Sequence, residues 1–160
     1  MRAKHLSWIV GLAVLAAAPW TLATGVPPKA PPKEPARVEV SVFPEAARPG
    51  GETRVTVRLS PADGIKINRY PKIRLKVPGQ EGLILSAEAA VGNKEPPPPD
   101  RIEGNYFKTV DPVELTLRVD PQAPAGQHKV QGQLSYFYCV AASGFCAPAK
   151  VPVSIPLTVR

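Results

Sequence analysis

The chain has 160 residues, a formal net charge of +7, 21 prolines and 2 cysteines. An apolar fraction of 44% suffices for one domain with one core, and the scattered basic residues form no aromatic-interleaved patch, so we expect no nucleic-acid partner. With only 2 histidines, a zinc or copper site built from His and Cys has too few ligands, and we expect neither metal nor cofactor.

The N-terminus has the pattern of an export signal. Two basic residues open the chain, an apolar run extends from Leu6 to about Ala18, and small residues end at Ala23. The run is shorter than the roughly 20 residues that a membrane-spanning helix needs. The pattern predicts a signal peptide over residues 1–23, cleaved after Ala23. We therefore expect a periplasmic or otherwise extracytoplasmic, secreted chain without stable membrane insertion, in a compartment where disulfides persist.

Beyond the signal, the pattern is that of a linker followed by strands. Residues 24–36 are rich in proline, which is typical of an extended linker. Residues 37–160 contain short segments of alternating apolar and polar residues, which predict strands. These segments are 38–42, 55–59, 73–77, the weaker 83–88, 113–119, 130–139 and 151–159. Together they predict an all-β fold, an immunoglobulin-like antiparallel β-sandwich.

Three prolines of the last predicted strand share one parity, namely Pro148, Pro152 and Pro156. Proline has no N–H group, so a strand with this spacing lacks donors along one side. Such a strand is tolerated at the edge of a sheet, which predicts that the last hairpin lies at the rim of the sandwich.

The two cysteines, Cys139 and Cys146, flank a short loop whose turn is predicted at Ser143-Gly144. Strand parity places both sulfurs on the face away from the core, and directly opposed residues are close enough for a disulfide. A structural bridge and a redox-active pair both remain open, because a loop this short contributes only roughly 2.5 kcal/mol. Residues 134–149 carry no charge, so we expect nothing nearby to stabilise a thiolate.

A long segment, 92–109, interrupts the strand pattern and contains four consecutive prolines. It is either an ordinary surface loop or a lid over the cysteine pair, because binding loops concentrate on rigid scaffolds. Its apolar residues Ile102, Tyr106 and Phe107 are the candidates for covering a disulfide.

Two motifs carry a resemblance to a known family. One is Tyr-Cys-Val-Ala-Ala-Ser-Gly-Phe-Cys-Ala-Pro at 138–148, followed by the strand at 151–159, and the other is the glycine and basic-apolar strand at 64–75. With these motifs, residues 38–159 resemble the N-terminal periplasmic domain of the thiol:disulfide interchange protein DsbD. Three positions depart from the family pattern: Ile102 stands where an aromatic cap residue is expected, and Ile65 and Asn68 replace expected tyrosines.

The resemblance implies an electron relay between a thioredoxin-like donor and periplasmic thiol proteins. Cys139 and Cys146 match the family's redox-active centre, and Cys146 matches the cysteine that bonds to partners. Residues 100–104 fall where the family has its cap loop. Because the chain ends at Arg160, the expected partners are separate thioredoxin-fold proteins and a separate membrane electron-transport protein. The alternative is a non-enzymatic β-sandwich interaction module with a structural disulfide.

Overall fold

The computed structural model describes residues 34–160. They form nine β-strands, most of which follow the alternation of apolar and polar residues, and one 3₁₀ helix. The predicted signal peptide, 1–23, and residues 24–33 of the predicted linker lie outside the described residues. The strands are β1 (Ala36–Phe43), β2 (Ala46–Ala47), β3 (Glu52–Pro61), β4 (Ile65–Ile67), β5 (Ile73–Val77), β6 (Ala87–Val91), β7 (Val113–Arg118), β8 (Gly126–Val140) and β9 (Cys146–Val159). The 3₁₀ helix is Pro99–Asn105.

The strands form two facing sheets. One has the order β1-β3-β7, and the other has the order β2-β9-β8-β5-β6, with β4 pairing with β8 beside β5. The pairings are antiparallel except for the short parallel contact of β2 with β9. The strands β1, β3 and β7 form one sheet, and the cysteine hairpin β8–β9 belongs to the other, as in the immunoglobulin arrangement. The predicted all-β sandwich is confirmed.

Inward-facing side chains of both sheets form one core. Its most enclosed members come from β3, β5, β7, β8 and β9, with full burial at Val55, Leu75, Leu117, Leu134 and Ile155. Each is flanked along its strand by residues that face outward, as the period of two requires. Burial of this apolar surface is the main source of stability for the sandwich.

The boundaries of two predicted elements were wrong. The strand predicted at 83–88 is displaced to β6, because Gly82 adopts a left-handed φ of +66° and Leu83 N donates to Gln80 O in a turn. Ala36, assigned to the linker, already belongs to β1. The segment at 65–67, expected to be irregular, forms the short strand β4.

The strand β9 lies at a sheet edge over most of its length. It pairs with β8 from Cys146 to Val159, whereas its other side meets only β2 at Thr158 and Val159. Val140 N donates to Phe145 O, which makes the next pair along the ladder a non-hydrogen-bonded one. Every second pair after Cys139–Cys146 is also non-hydrogen-bonded, and Pro148, Pro152 and Pro156 fall in such pairs. Their ring nitrogens therefore point away from β8. The edge position predicted from them is confirmed.

We expect the outward prolines to prevent strand addition at β9. In the Pro152→Val, Pro156→Val variant two N–H donors return to a long exposed edge, and edge-to-edge pairing between copies should follow. Sedimentation velocity should detect concentration-dependent dimers of the variant. Pro96→Val, which places the same side chain in an exposed loop, is the control and should match the parent chain. A double variant that sediments like this control would contradict the expectation.

Candidate functional site

A disulfide joins the two cysteines at the tip of the β8–β9 hairpin. Cys139 and Cys146 are directly opposed in the ladder, their Cα atoms are 4.0 Å apart, and the S–S bond is 2.02 Å long. Gly144, at a φ of +68°, makes the turn, and its amide donates to Val140 O at 2.9 Å. The left-handed φ explains why glycine occupies this position. The bridge and the turn are as the sequence predicted.

The two sulfurs have different surroundings. Cys139 is only 4% exposed, because β8 is an inner strand here and pairs with β4 on its other side. Cys146 is exposed, because it begins the edge strand β9. Strand parity places both side chains on the face away from the core, as predicted, but Cys139 is covered by residues from elsewhere in the chain. An incoming thiolate therefore has far better access to Cys146.

The cover over Cys139 comes from the end of the long loop. Tyr106 is directly opposite Asn68 in an isolated antiparallel bridge, so its side chain lies on the same face as the disulfide. The Tyr106 hydroxyl donates to Cys139 Sγ at 3.6 Å. Asn68 Oδ1 lies 3.5 Å from the same sulfur. The loop thus supplies one hydrogen-bond donor to the buried sulfur.

A buried asparagine holds this loop end in place. Asn105 is 8% exposed, and its side chain makes two hydrogen bonds of 2.9 Å with the backbone of Tyr70. Its Oδ1 accepts from Tyr70 N, and its Nδ2 donates to Tyr70 O. Arg69 N also donates to Asn105 O, and Phe107 N donates to Ile67 O at 3.0 Å. These bonds orient Tyr106, which lies between their anchor points.

The three predicted cover residues have different positions. Tyr106 contacts Cys139, as described above. Phe107 points to the opposite face, where it packs against the core and lies 5.1 Å from the Arg69 guanidinium carbon. Ile102, in the 3₁₀ helix, is 58% exposed, so most of its surface faces solvent. Because adjacent residues of an extended segment point to opposite faces, Tyr106 and Phe107 could not both have covered the sulfur.

A lysine lies opposite Cys139 on the neighbouring strand. Lys66 is directly opposite Cys139 in the β4–β8 pair. Its Nζ lies 4.9 Å from the centroid of the Tyr106 ring and 3.4 Å from Glu103 Oε2. The lack of charge within residues 134–149 therefore does not extend to the neighbouring strand, which places a lysine opposite Cys139. The lysine belongs to β4, and its only signal in the sequence is its position between two isoleucines.

The described residues hold no candidate metal site or membrane-spanning helix, and two comparisons with known proteins found no match. Within residues 34–160, His, Cys, Asp and Glu side chains form no cluster of three that could hold a metal ion. Over the same residues, no helix is long and apolar enough to cross a membrane. No protein-family model matches this sequence, and no curated protein matches it. The site is a disulfide with one buried and one accessible sulfur.

We expect Asn105→Ala to destabilise the fold by about 1–3 kcal/mol, because Tyr70 would lose the partners of both its backbone polar groups. Urea unfolding would measure the change. Asn93→Ala is the matched control, because in the described chain only the backbone amide of Asn93 is hydrogen-bonded, to Arg69 O. Equal stability of the two variants would show that the Asn105 side chain does not hold the loop.

We expect the sandwich to survive loss of the bridge. The disulfide closes a short loop between strands that the ladder already pairs, so Cys139→Ser, Cys146→Ser should cost at most about 2–3 kcal/mol. Circular dichroism at room temperature should retain the β signal. Its collapse would identify the bridge as a structural requirement of the fold.

Proposed function

We propose that the chain is an exported thiol:disulfide exchange domain. It relays electrons between a thioredoxin-like donor and periplasmic or other extracytoplasmic thiol proteins. Cys139 and Cys146 form its redox pair, and the resemblance to the N-terminal domain of DsbD supports this assignment. The site residues require no bound cofactor for this reaction, because both the bond that opens and the groups that accept electrons belong to cysteines.

The observation that carries the proposal is the unequal exposure of the two sulfurs. Exchange proceeds through a mixed disulfide, in which one sulfur is attacked and the other leaves. Cys146 is exposed on the edge strand, whereas Cys139 is 4% exposed and receives a hydrogen bond from Tyr106. The arrangement favours attack at Cys146 and departure of Cys139.

The setting of Cys146 also suits a protein partner. Phe145, next to it, is 46% exposed, although it is a large apolar residue. The neighbouring turn residues at 141–144 are small and uncharged, and Pro148 is exposed on the other side. A thioredoxin-fold protein can bring a protruding thiol to such a hairpin tip without displacing a core element. We propose that Phe145 is part of this contact.

The alternative, an interaction module with a structural disulfide, is favoured by one observation, the burial of Cys139. A structural bridge has no need for an exposed partner sulfur, however. It also stabilises most when it joins distant parts of the chain, whereas this one joins opposed residues of one hairpin.

Trapping of mixed disulfides tests the proposal. Each single variant, Cys139→Ser or Cys146→Ser, is mixed with a thioredoxin-fold protein that lacks its resolving cysteine and carries its remaining cysteine as a mixed disulfide with thionitrobenzoate. The thiol of the variant attacks the partner's sulfur, thionitrobenzoate leaves, and products are separated on non-reducing gels. We expect Cys139→Ser to trap the partner through Cys146 and Cys146→Ser to trap far less, because the remaining Cys139 is covered.

The variant lacking both cysteines is the control for non-covalent association. Equal trapping by the two single variants would contradict the assignment of Cys146 as the attacked sulfur. Absence of trapping by both would contradict the relay.

A further inference from the structure

Opening of the disulfide at Cys146 creates a charge that the protein must accommodate. A thiolate attacks Cys146 Sγ, a new S–S bond forms to the attacking sulfur, and the Cys139–Cys146 bond breaks. The bonding electron pair leaves with Cys139 Sγ, which becomes a thiolate. A second thiol of the reductant then displaces Cys146, so that the chain gains two electrons and the reductant becomes a disulfide. Exchange is faster when the leaving sulfur is stabilised as a thiolate.

The surroundings of Cys139 contain two groups that suit this charge. The hydroxyl of Tyr106 already donates to Cys139 Sγ at 3.6 Å. Lys66 is opposite Cys139 in the β4–β8 pair, and directly opposed side chains have Cβ atoms about 5 Å apart on the same face. Its ammonium lies 4.9 Å from the centroid of the Tyr106 ring. A cation over an aromatic ring draws electron density from it, which makes the ring hydroxyl a stronger donor.

We propose that Lys66 and Tyr106 together stabilise the negative charge that appears on Cys139 Sγ when a thiol opens the disulfide at Cys146. Tyr106 is the catalytic residue, because it touches the reacting sulfur, and Lys66 acts through the ring of Tyr106 and through its charge. The inference deepens the proposed exchange function and rests on it.

Glu103 opposes this effect. Its carboxylate lies 3.4 Å from Lys66 Nζ and partly neutralises the charge that Lys66 presents. The exposed fraction of the side chain is 43% for Lys66 and 87% for Glu103, so solvent screens both charges and their effect is modest. Removal of Glu103 and removal of Lys66 are therefore expected to change the reaction in opposite directions.

The rate at which dithiothreitol reduces the oxidised chain tests the inference. Lys66→Met removes the charge and should slow reduction roughly two- to five-fold. Glu103→Gln frees the ammonium and should accelerate reduction by a similar factor. Lys66→Arg keeps a cation on the strand and should restore most of the rate. The Glu103→Gln, Lys66→Met variant should behave like Lys66→Met alone, because Glu103 acts through Lys66.

Two controls separate leaving-group stabilisation from other effects of charge. Lys129→Met removes the same charge at the far end of β8, opposite Pro156, and should reduce at the parental rate. Cysteamine, a thiol that carries a positive charge, replaces dithiothreitol in the second control. If Lys66 merely attracted the attacking thiolate, Lys66→Met would not slow reduction by cysteamine, because the ammonium of cysteamine offsets the charge of its thiolate. We expect slowing with both reductants.

A spectroscopic measurement complements the rates. In the Cys146→Ser background, the ultraviolet absorbance of the Cys139 thiolate at neutral pH should fall when Lys66→Met is added and recover with Lys66→Arg. Tyr106→Phe in the same background should also lower it, since the donor to Cys139 is lost. Circular dichroism of each oxidised variant confirms that the fold is retained.

Three results would overturn the inference. They are equal reduction rates for Lys66→Met and the parent chain, a Lys66→Arg variant as slow as Lys66→Met, and a Lys66→Met variant that is slower with dithiothreitol but not with cysteamine. These rates need no protein partner. A failed trapping experiment would therefore contradict the relay without affecting them, and unchanged rates beside successful trapping would contradict only the role of Lys66 and Tyr106.

Discussion

The register of β8 is the constraint on which the rest of the site depends. Leu134, Tyr136 and Tyr138 point into the core, so Phe137 and Cys139 must point to the other face. Burial, with a smaller contribution from Tyr138, raises the pKa of Tyr136 to about 12 and keeps its phenol neutral inside the sandwich. A slip of one residue would exchange the two faces and expose the tyrosines. Core packing therefore fixes where the sulfur lies.

Because β8 is paired on both sides near its end, its register places two strands and one loop end around Cys139. β9 brings Cys146 opposite it on one side, and β4 brings Lys66 opposite it on the other. The loop end then adds Tyr106 through its bridge to Asn68. Stability comes mainly from the core, whereas the disulfide lies on the outward face of the sheet, between the inner strand β8 and the edge strand β9. We therefore expect the packing beneath the bridge to survive its opening.

The features that depend on local periodicity could be predicted from the sequence. Alternation identified most strands and the facing of the cysteines, and the spacing of Pro148, Pro152 and Pro156 identified β9 as an edge. The surroundings of Cys139 could not be predicted in the same way. They depend on the register between β4 and β8 and on the Asn105 anchor, which join residues more than 30 positions apart. Residue type alone suggested Ile102, Tyr106 and Phe107 equally, and it could not show that Tyr106 is the residue hydrogen-bonded to Cys139.

The most direct test of the account is the reduction potential of the Cys139–Cys146 bridge, measured by equilibration with redox buffers of thiol and disulfide. Structural disulfides of secreted proteins have potentials below about −300 mV, whereas bridges that exchange with partners lie higher. The exposed Cys146 and the donor beside Cys139 predict a value above this limit. A potential below about −300 mV would contradict the account and identify the bridge as a structural disulfide.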